Sequence, residues 1–467
     1  MWLLTRFAPP DAHFNIAEAI EIRGKFDPQL FLQALRTLCA ETESLRLRVE
    51  DTPQGPRQWL EPEFSGSISL LDFSGEGDPR ASAEQWMVEN SARRTDVERE
   101  PMWYSAVLRI AQDHHIWYQR GHHYANDGFA AVIVARRAAD LYTALVNGTA
   151  APADSELKPL SVLIEEDQAY RDSARALKDR EYWMERMRDR PEPLTLAERR
   201  SNNIGSLLRQ TAHWPAARVA ALRDTAALHG STLPQILIAA TATYLYRMTG
   251  VSDLVIGVPV TARYNDRMRR VPGMVANAVP LRLSMRPELP FTALLREVSQ
   301  QMRKILRHQA YRSEQLRTDL ELQAKDHPLF TTMVNVEPFD YALRFGDCSI
   351  ETRNLTNGSP RISASSCMST GMARTCGSTS TPMPISTPSP NWQRTRPGCS
   401  ACSTPLPIFP RRPSGAWRSS PRMNAWPSCP GAAERSVRSP GPTWPNCWTP
   451  ACRATPARSR CASKAAP

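Results

Sequence analysis

Cysteine is nearly missing from the first 358 residues of this 467-residue chain, which hold only Cys39 and Cys348. So sparse a thiol content excludes a disulfide framework and suits a reducing, cytoplasmic compartment. Acidic residues are missing from the other end: between Ser359 and Pro467, Glu434 stands alone against 14 Lys and Arg. The formal charge of +11 belongs to that tail, because the first 358 residues hold 44 basic against 46 acidic side chains. A nucleic-acid partner, which the total charge would suggest, is thereby excluded. Long apolar runs are absent too. The longest, LPQILIAATATYLY (Leu233–Tyr246), is too short and too interrupted by Thr to cross a bilayer, and reads as a buried helix. The opening MWLLTRFAPP has no cleavage pattern and so no secretory signal. No Gly-x-Ser-x-Gly occurs and Cys39 falls inside a helical pattern, so neither a Ser nor a Cys nucleophile is supported.

What is present is α+β patterning. HFNIAEAIEIRGKF alternates like a strand, and DPQLFLQALRTLCAETESL follows at helical spacing behind an Asp27-Pro28 start. SLRLRVED and RQWLEPE read as hairpin strands. WYSAVLRIAQDHHIWYQRGHH is two alternating runs joined at AQDHH, with a helix over 128–147 behind them. A second helix-rich part contains strand-like DLVIGVPVTARY, VANAVPLRLSM, TTMVNVEPF and CSIETRNL around the helix FTALLREVSQQMRKILRHQ. Two βα-rich halves are expected to meet near residues 150–180.

The most informative stretch is GHHYANDGFAAVIVARRAADLY (Gly121–Tyr142). Alternation places His122 and His123 on opposite faces at a strand end, so that one packs and the other projects toward a cleft. Asp127 and Gly128 open the following helix, Asp as a favoured N-terminal residue and Gly as a bare backbone donor. A titratable imidazole, a fixed carboxylate and an exposed N–H suit proton management and oxyanion stabilisation in acyl transfer. A metal site built with His114 and His115 is disfavoured, because no acidic or cysteine partner has ligand spacing.

His122-His123-Tyr124-Ala125-Asn126-Asp127-Gly128 resembles the HHxxxDG signature of nonribosomal peptide synthetase condensation domains. SLRLRV (44–49), LIEEDQAYRDS, VPGMVANAVPLRL (271–283) and PLFTTMVNVEPFDY (328–341) resemble further motifs of that family. The phrasing NIAEAIEIRG, DGFAA and YRSEQLRTDL looks most like enterobactin-type, serine-activating synthetases. The resemblance runs from residue 1 to about 358. It implies two chloramphenicol acetyltransferase-like lobes in a V-shaped pseudodimer: an N-terminal lobe over 1–175 and a C-terminal lobe over 176–358. It also implies amide formation, with an acceptor aminoacyl-carrier amine attacking a donor acyl- or peptidyl-carrier thioester. Donor and acceptor peptidyl or aryl carrier proteins would supply 4′-phosphopantetheine arms, with no cofactor, nucleic acid or membrane bound by the chain itself. By position, His123 is the catalytic histidine, as general base or by holding the amine. The Gly128 N–H is a candidate oxyanion donor, His122 packs, and Asp127 is structural, pairing with Arg46. A coenzyme A-dependent acyltransferase shares the histidine and fold and is the alternative enzyme.

Both ends depart from the family pattern. The chain opens at Met1-Trp2, inside what resembles the family's first motif. From Ser359 to Pro467 it holds 19 of the 40 prolines and no sustained period of 2 or 3.6, which reads as an irregular or disordered tail. A shifted reading frame between about Gly358 and Arg361 accounts for more. One base away, TWPNCWT (443–449) permits a text like Leu-Ala-Glu-Leu-Leu-Asp, an amphipathic helix resembling a linker toward an adenylation domain. On that reading the closing strand and helix of the C-terminal lobe are replaced. The competing expectation is then an inactive, truncated product.

Overall fold

Asn15–Arg23 (β1) is buried along its whole length except at Arg23, so both of its faces are covered. Asp27 caps Pro28–Glu41 (α1), accepting from Gln29 N at 2.8 Å and Leu30 N at 3.1 Å. Leu47–Thr52 (β2) and Gly55–Leu60 (β3) form an antiparallel hairpin. Ile68–Asp72 (β4), Pro79–Ala92 (α2), Trp103–Ala111 (β5), His114–His122 (β6) and Gly128–Asn147 (α3) follow. Helix α3 ends at Gly148 with φ 63°, a left-handed residue that costs glycine little.

Ser161–Arg171 (α4) and Ala174–Met187 (α5) lead into a second set of elements. These are Trp214–Pro215 (β7), Ala216–Leu228 (α6), Leu233–Thr249 (α7), Asp253–Val260 (β8), Asp266–Arg269 (α8), Asn277–Ser284 (β9) and Phe291–Arg307 (α9). Ser313–Asp319 (α10), Thr332–Glu337 (β10), Ser349–Asn354 (β11), Ser365–Ser369 (β12) and Thr375–Cys376 (β13) complete the order. The computed structural model describes residues 14–194, 196, 212, 214–322, 328–337, 343–355, 365–369 and 375–376, all within the unit Met1–Pro405. The expectations for the opening motif and for the chain beyond residue 376 lie outside the described residues.

Two sheets organise the chain. The first has the order β11-β1-β6-β5-β4, antiparallel except between β4 and β5. Phe31, Leu35 and Leu38 of α1 and Val134, Ala138 and Tyr142 of α3 form one core with its Ile20, Ile22 and Trp117. Ala83 and Met87 of α2 join Ala17, Ala19, Leu108, Ile116 and Tyr118 in a second core. The alternating residues of β1 and β6 thus serve two layers, which explains why neither strand shows a polar face. The second sheet, β12-β10-β8-β9, shares its core with α7, α9 and Trp183 of α5.

Two sequence expectations change here. Residues 343–355 do not stay with the second lobe, where the boundary 176–358 would put them. Strand β11 pairs antiparallel with β1, and Phe345 is buried among Phe26, Phe31 and Tyr142. The reason is local: β1 needs a partner on its outer edge, and the aromatic cluster needs one more ring. The stretch after Ser359 is also not without elements, since β12 runs parallel to β10 and β13 pairs with β7.

Candidate functional site

The histidine motif sits where β6 gives way to α3. His122 is the last residue of the strand, held by its N–H to Met102 O at 2.7 Å. His123 N–H donates to Phe14 O at 2.8 Å, and the chain then turns as Ala125 N–H returns to His122 O at 3.0 Å. His122 is buried, its ring packs on Tyr124 with centroids 4.6 Å apart, and its Nδ1 accepts from Tyr124 N at 3.2 Å. An Nδ1 that accepts must leave the proton of the neutral ring on Nε2.

His123 is half-buried, with its Nδ1 shielded from water and unpartnered among the described residues. Burial holds its imidazole below the ordinary histidine range. The Asp127 carboxylate and the backbone carbonyls of His123 and Asn126 offset part of that shift. The ring is therefore neutral near pH 7, the state that can accept a proton.

Asp127 closes the turn and caps α3 at once. Its Oδ1 accepts from Ala130 N at 2.8 Å. Its Oδ2 accepts from Val275 N at 2.9 Å, Ala276 N at 2.8 Å and Arg263 NH1 at 2.8 Å. The Arg263 side chain is 0% exposed and that of Asp127 1%. Arg263 NH2 also donates to Gly273 O at 2.9 Å, and its guanidinium lies 4.8 Å from the Phe129 ring centroid. Ala262, just before it, adopts φ 50°, a conformation that costs an L-residue about 1 kcal/mol and aims the next side chain inward.

This corrects the expected partner of Asp127. Arg46 donates instead to Glu61 O at 2.5 Å and Pro62 O at 3.1 Å, and so braces the exit of the β2–β3 hairpin. It occupies a 3-10 turn, Glu43–Arg46, just ahead of β2, and its own carbonyl receives Glu61 N at 3.0 Å. The side chain is thus committed to the hairpin, and the carboxylate is met by a cation from the second lobe.

Loop 261–276, which carries Arg263, is tied down elsewhere. Tyr264 OH and Asn265 Nδ2 donate to Glu166 of α4, the latter at 2.9 Å. Arg312 NH1 donates to Val275 O at 2.6 Å. Sequence reasoning marked this segment as a polar loop and a later motif but missed Arg263. Its signal was an arginine three residues past an apolar strand, in VPVTARY.

Gly128 occupies the first position of α3, where the helix itself offers its N–H no acceptor. His114 and His115 open the same strand that His122 ends, about 26 Å away at ~3.3 Å per residue, so the two pairs cannot share an ion. His114 instead lies 3.3 Å from Glu21, and His115 packs on Phe26. Among the described residues no group of three or more His, Cys, Asp or Glu could hold a metal, and no helix is long and apolar enough to cross a membrane.

Comparison with known proteins agrees with this geometry. The condensation-domain family model matches residues 1–370. The chain is 38% identical over 358 residues to the dimodular nonribosomal peptide synthase of Bacillus subtilis, covering 77% of this chain and 15% of that protein. It is 26% identical over 364 residues to enterobactin synthase component F of Escherichia coli, covering 77% and 28%. Among solved structures it resembles a variant of the starter condensation domain of rhizomide synthetase RzmA in complex with C8-CoA. The TM-score is 0.70 at 36% identity, covering 77% of this chain and 82% of that one. The first condensation domain of the CDA synthetase gives a TM-score of 0.69 at 31% identity, covering 77% and 83%. The chain therefore spans only a small part of the multidomain synthetases it matches.

Proposed function

The chain belongs to the condensation-domain family of the nonribosomal peptide synthetases, whose members form amide bonds from carrier-bound substrates, and we propose how its own residues carry that reaction. An acceptor aminoacyl group and a donor acyl or peptidyl group arrive on 4′-phosphopantetheine arms of two carrier proteins. The neutral acceptor amine attacks the donor thioester carbonyl. The C–N bond forms, the C–S bond breaks, and the amine proton passes to the leaving thiolate. His123 is the catalytic residue, orienting the amine and accepting its proton in part, since an amine with pKa near 8 needs little further activation. The Gly128 N–H donates to the developing oxyanion. Asp127 holds the turn, while His122 packs beneath it.

The observation that carries this reading is the neutral imidazole of His123 on a turn that Asp127 locks to the second lobe. Cys39 and Cys348 are free thiols, which suits a cytoplasmic enzyme. An adenylation domain would follow in an intact gene. The test supplies wild type and His123→Ala with both loaded carriers. Wild type is expected to release amide product, and the variant to lose it while melting at the same temperature. Near-normal product from the variant would refute the role of His123.

A second reading, a donor presented on coenzyme A, is favoured by one observation: the RzmA relative is described in complex with C8-CoA. Offering the same acyl group on a carrier and on coenzyme A separates the two readings. The preferred donor is the one with the larger kcat/KM.

A further inference from the structure

Arg263, which meets Asp127, follows a residue in an unfavourable backbone state, and a side chain from elsewhere in the second lobe holds that residue. Ala262 is 2% exposed and adopts φ 50°. Its N–H donates to Gln309 Oε1 at 3.1 Å, across 47 residues. Gln309 lies between the end of α9 at Arg307 and the start of α10 at Ser313. Its Nε2 donates to Leu306 O at 2.9 Å, and its own carbonyl accepts from Asn277 Nδ2 at 3.0 Å. The two side-chain bonds fix which way round the amide sits. Turned over, it would set its oxygen against the Leu306 carbonyl and its NH2 group against the Ala262 N–H.

The left-handed state costs an L-residue, so Ala262 keeps it only while its surroundings reward it. Ala262 joins Met268 and Val275 in a small core, and Gln309 gives its N–H an acceptor. Without that oxygen the N–H is stranded, and the backbone gains by turning at Ala262 to pair it elsewhere. Arg263 turns with it. The same loop delivers Arg263 NH1, Val275 N and Ala276 N to Asp127 Oδ2.

We infer that Gln309 is a positioning residue for the histidine turn: its amide oxygen holds Ala262 left-handed and so brings Arg263 and its loop to Asp127. It acts through Asp127 and not on substrate. The inference rests on the amide-forming role of His123, which shares the turn that Asp127 closes. A displacement of that turn by a fraction of an ångström lowers the rate without weakening carrier binding.

The test uses the full chain as wild type, as Gln309→Met, and as Gln309→Met combined with Ala262→Gly. Methionine keeps the length of the side chain without the amide, and glycine adopts a left-handed backbone at little cost. Hydrogen exchange is read by mass spectrometry, and kcat and KM with both loaded carriers. In Gln309→Met, exchange over residues 271–276 is expected to rise while β8 keeps its protection. Its kcat is expected to fall about tenfold at unchanged KM. Adding Ala262→Gly should recover part of both losses, which a general loss of stability would not allow. Wild-type exchange or wild-type kcat in Gln309→Met overturns the inference, as does a loss that Ala262→Gly leaves untouched. Should Gln309→Met not fold, Gln309→Asn, the same amide on a shorter side chain, takes its place with the same readouts. If wild type itself forms no amide, the functional reading fails and the exchange comparison still decides whether Gln309 holds Ala262.

Discussion

Asp127 and Arg263 meet at 2.8 Å with both side chains buried, although 136 residues separate them. One ends the histidine turn of the first lobe and the other lies in a loop of the second, so the ion pair joins the Val275 and Ala276 N–H bonds to the same carboxylate in linking the two. Removing one partner strands the other charge in a dry site, at about 3–5 kcal/mol. Asp127→Ala and Arg263→Ala should therefore lower the denaturation midpoint alike, and the double variant should fall no further than either single one. Arg46→Ala should leave that cycle unchanged, because its contacts lie on the hairpin. An additive double variant in chemical denaturation would show that the two residues are not coupled.

Stability should decline as pH falls below about 6.5. His114, His115 and His123 are all held below the ordinary histidine range, chiefly by burial. Below the unfolded value near 6.5 the unfolded chain binds more protons than the folded one, so acid favours unfolding until the folded groups also protonate. His115 packs on Phe26 and has a buried Nδ1 without a partner among the described residues, which makes His115→Phe a direct probe. Melting temperatures at pH 7.5 and 5.5 should differ less in that variant than in wild type.

The rate of amide formation should keep a plateau through neutral pH and fall only on the acid side of 6.5. On the role proposed for His123 the neutral imidazole is the working form, and burial keeps it neutral against Asp127, whose charge is met by Arg263. A pH–kcat profile measured with both loaded carriers checks this. An acid limb centred above 6.5 would contradict it.

Gly257 of β8 has no room for a side chain, since a Cβ there would lie 2.3 Å from the Phe330 ring. Gly257→Ala should cost about 1–3 kcal/mol by overpacking. Phe330→Leu in the same chain should recover part of that loss, as read from denaturation midpoints.

Phe345 is the ring through which the later chain reaches back to the first lobe, 5.4 Å from Phe31 between centroids. Phe345→Ala should cost about 3–5 kcal/mol through the cavity it leaves. Hydrogen exchange should then rise in β1 and β11, while β8 and β9 keep their protection.

The stretch after Gly358 calls for DNA rather than protein measurement. The family match ends at residue 370, and we propose that the coding frame changes between about Gly358 and Arg361. Repeated sequencing of that region and its three-frame translation should uncover condensation-domain and then adenylation-like text in another frame. A single reproducible frame encoding the present tail would end the proposal.

Much of the fold was legible from residue patterns. The alternation in NIAEAIEIR and HHIWYQRGH, the Asp27-Pro28 start of α1 and the helix over 128–147 all stand where periodicity and capping put them. Those signals are local, since a cap or a period of two needs only neighbouring residues. The return of β11 to the first sheet was not legible, because CSIETRNL carries no mark of which edge it will join.

The candidate site divides along the same line. The sequence alone determined that two histidines end a strand, that Asp127 caps the next helix and that the chain carries a condensation-domain motif. Only the tertiary structure decided that burial keeps His123 neutral and that Arg263 rather than Arg46 meets Asp127. The physical reason is that a buried charge takes whichever partner the packed chain delivers to it, and delivery across 136 residues leaves no trace in local spacing.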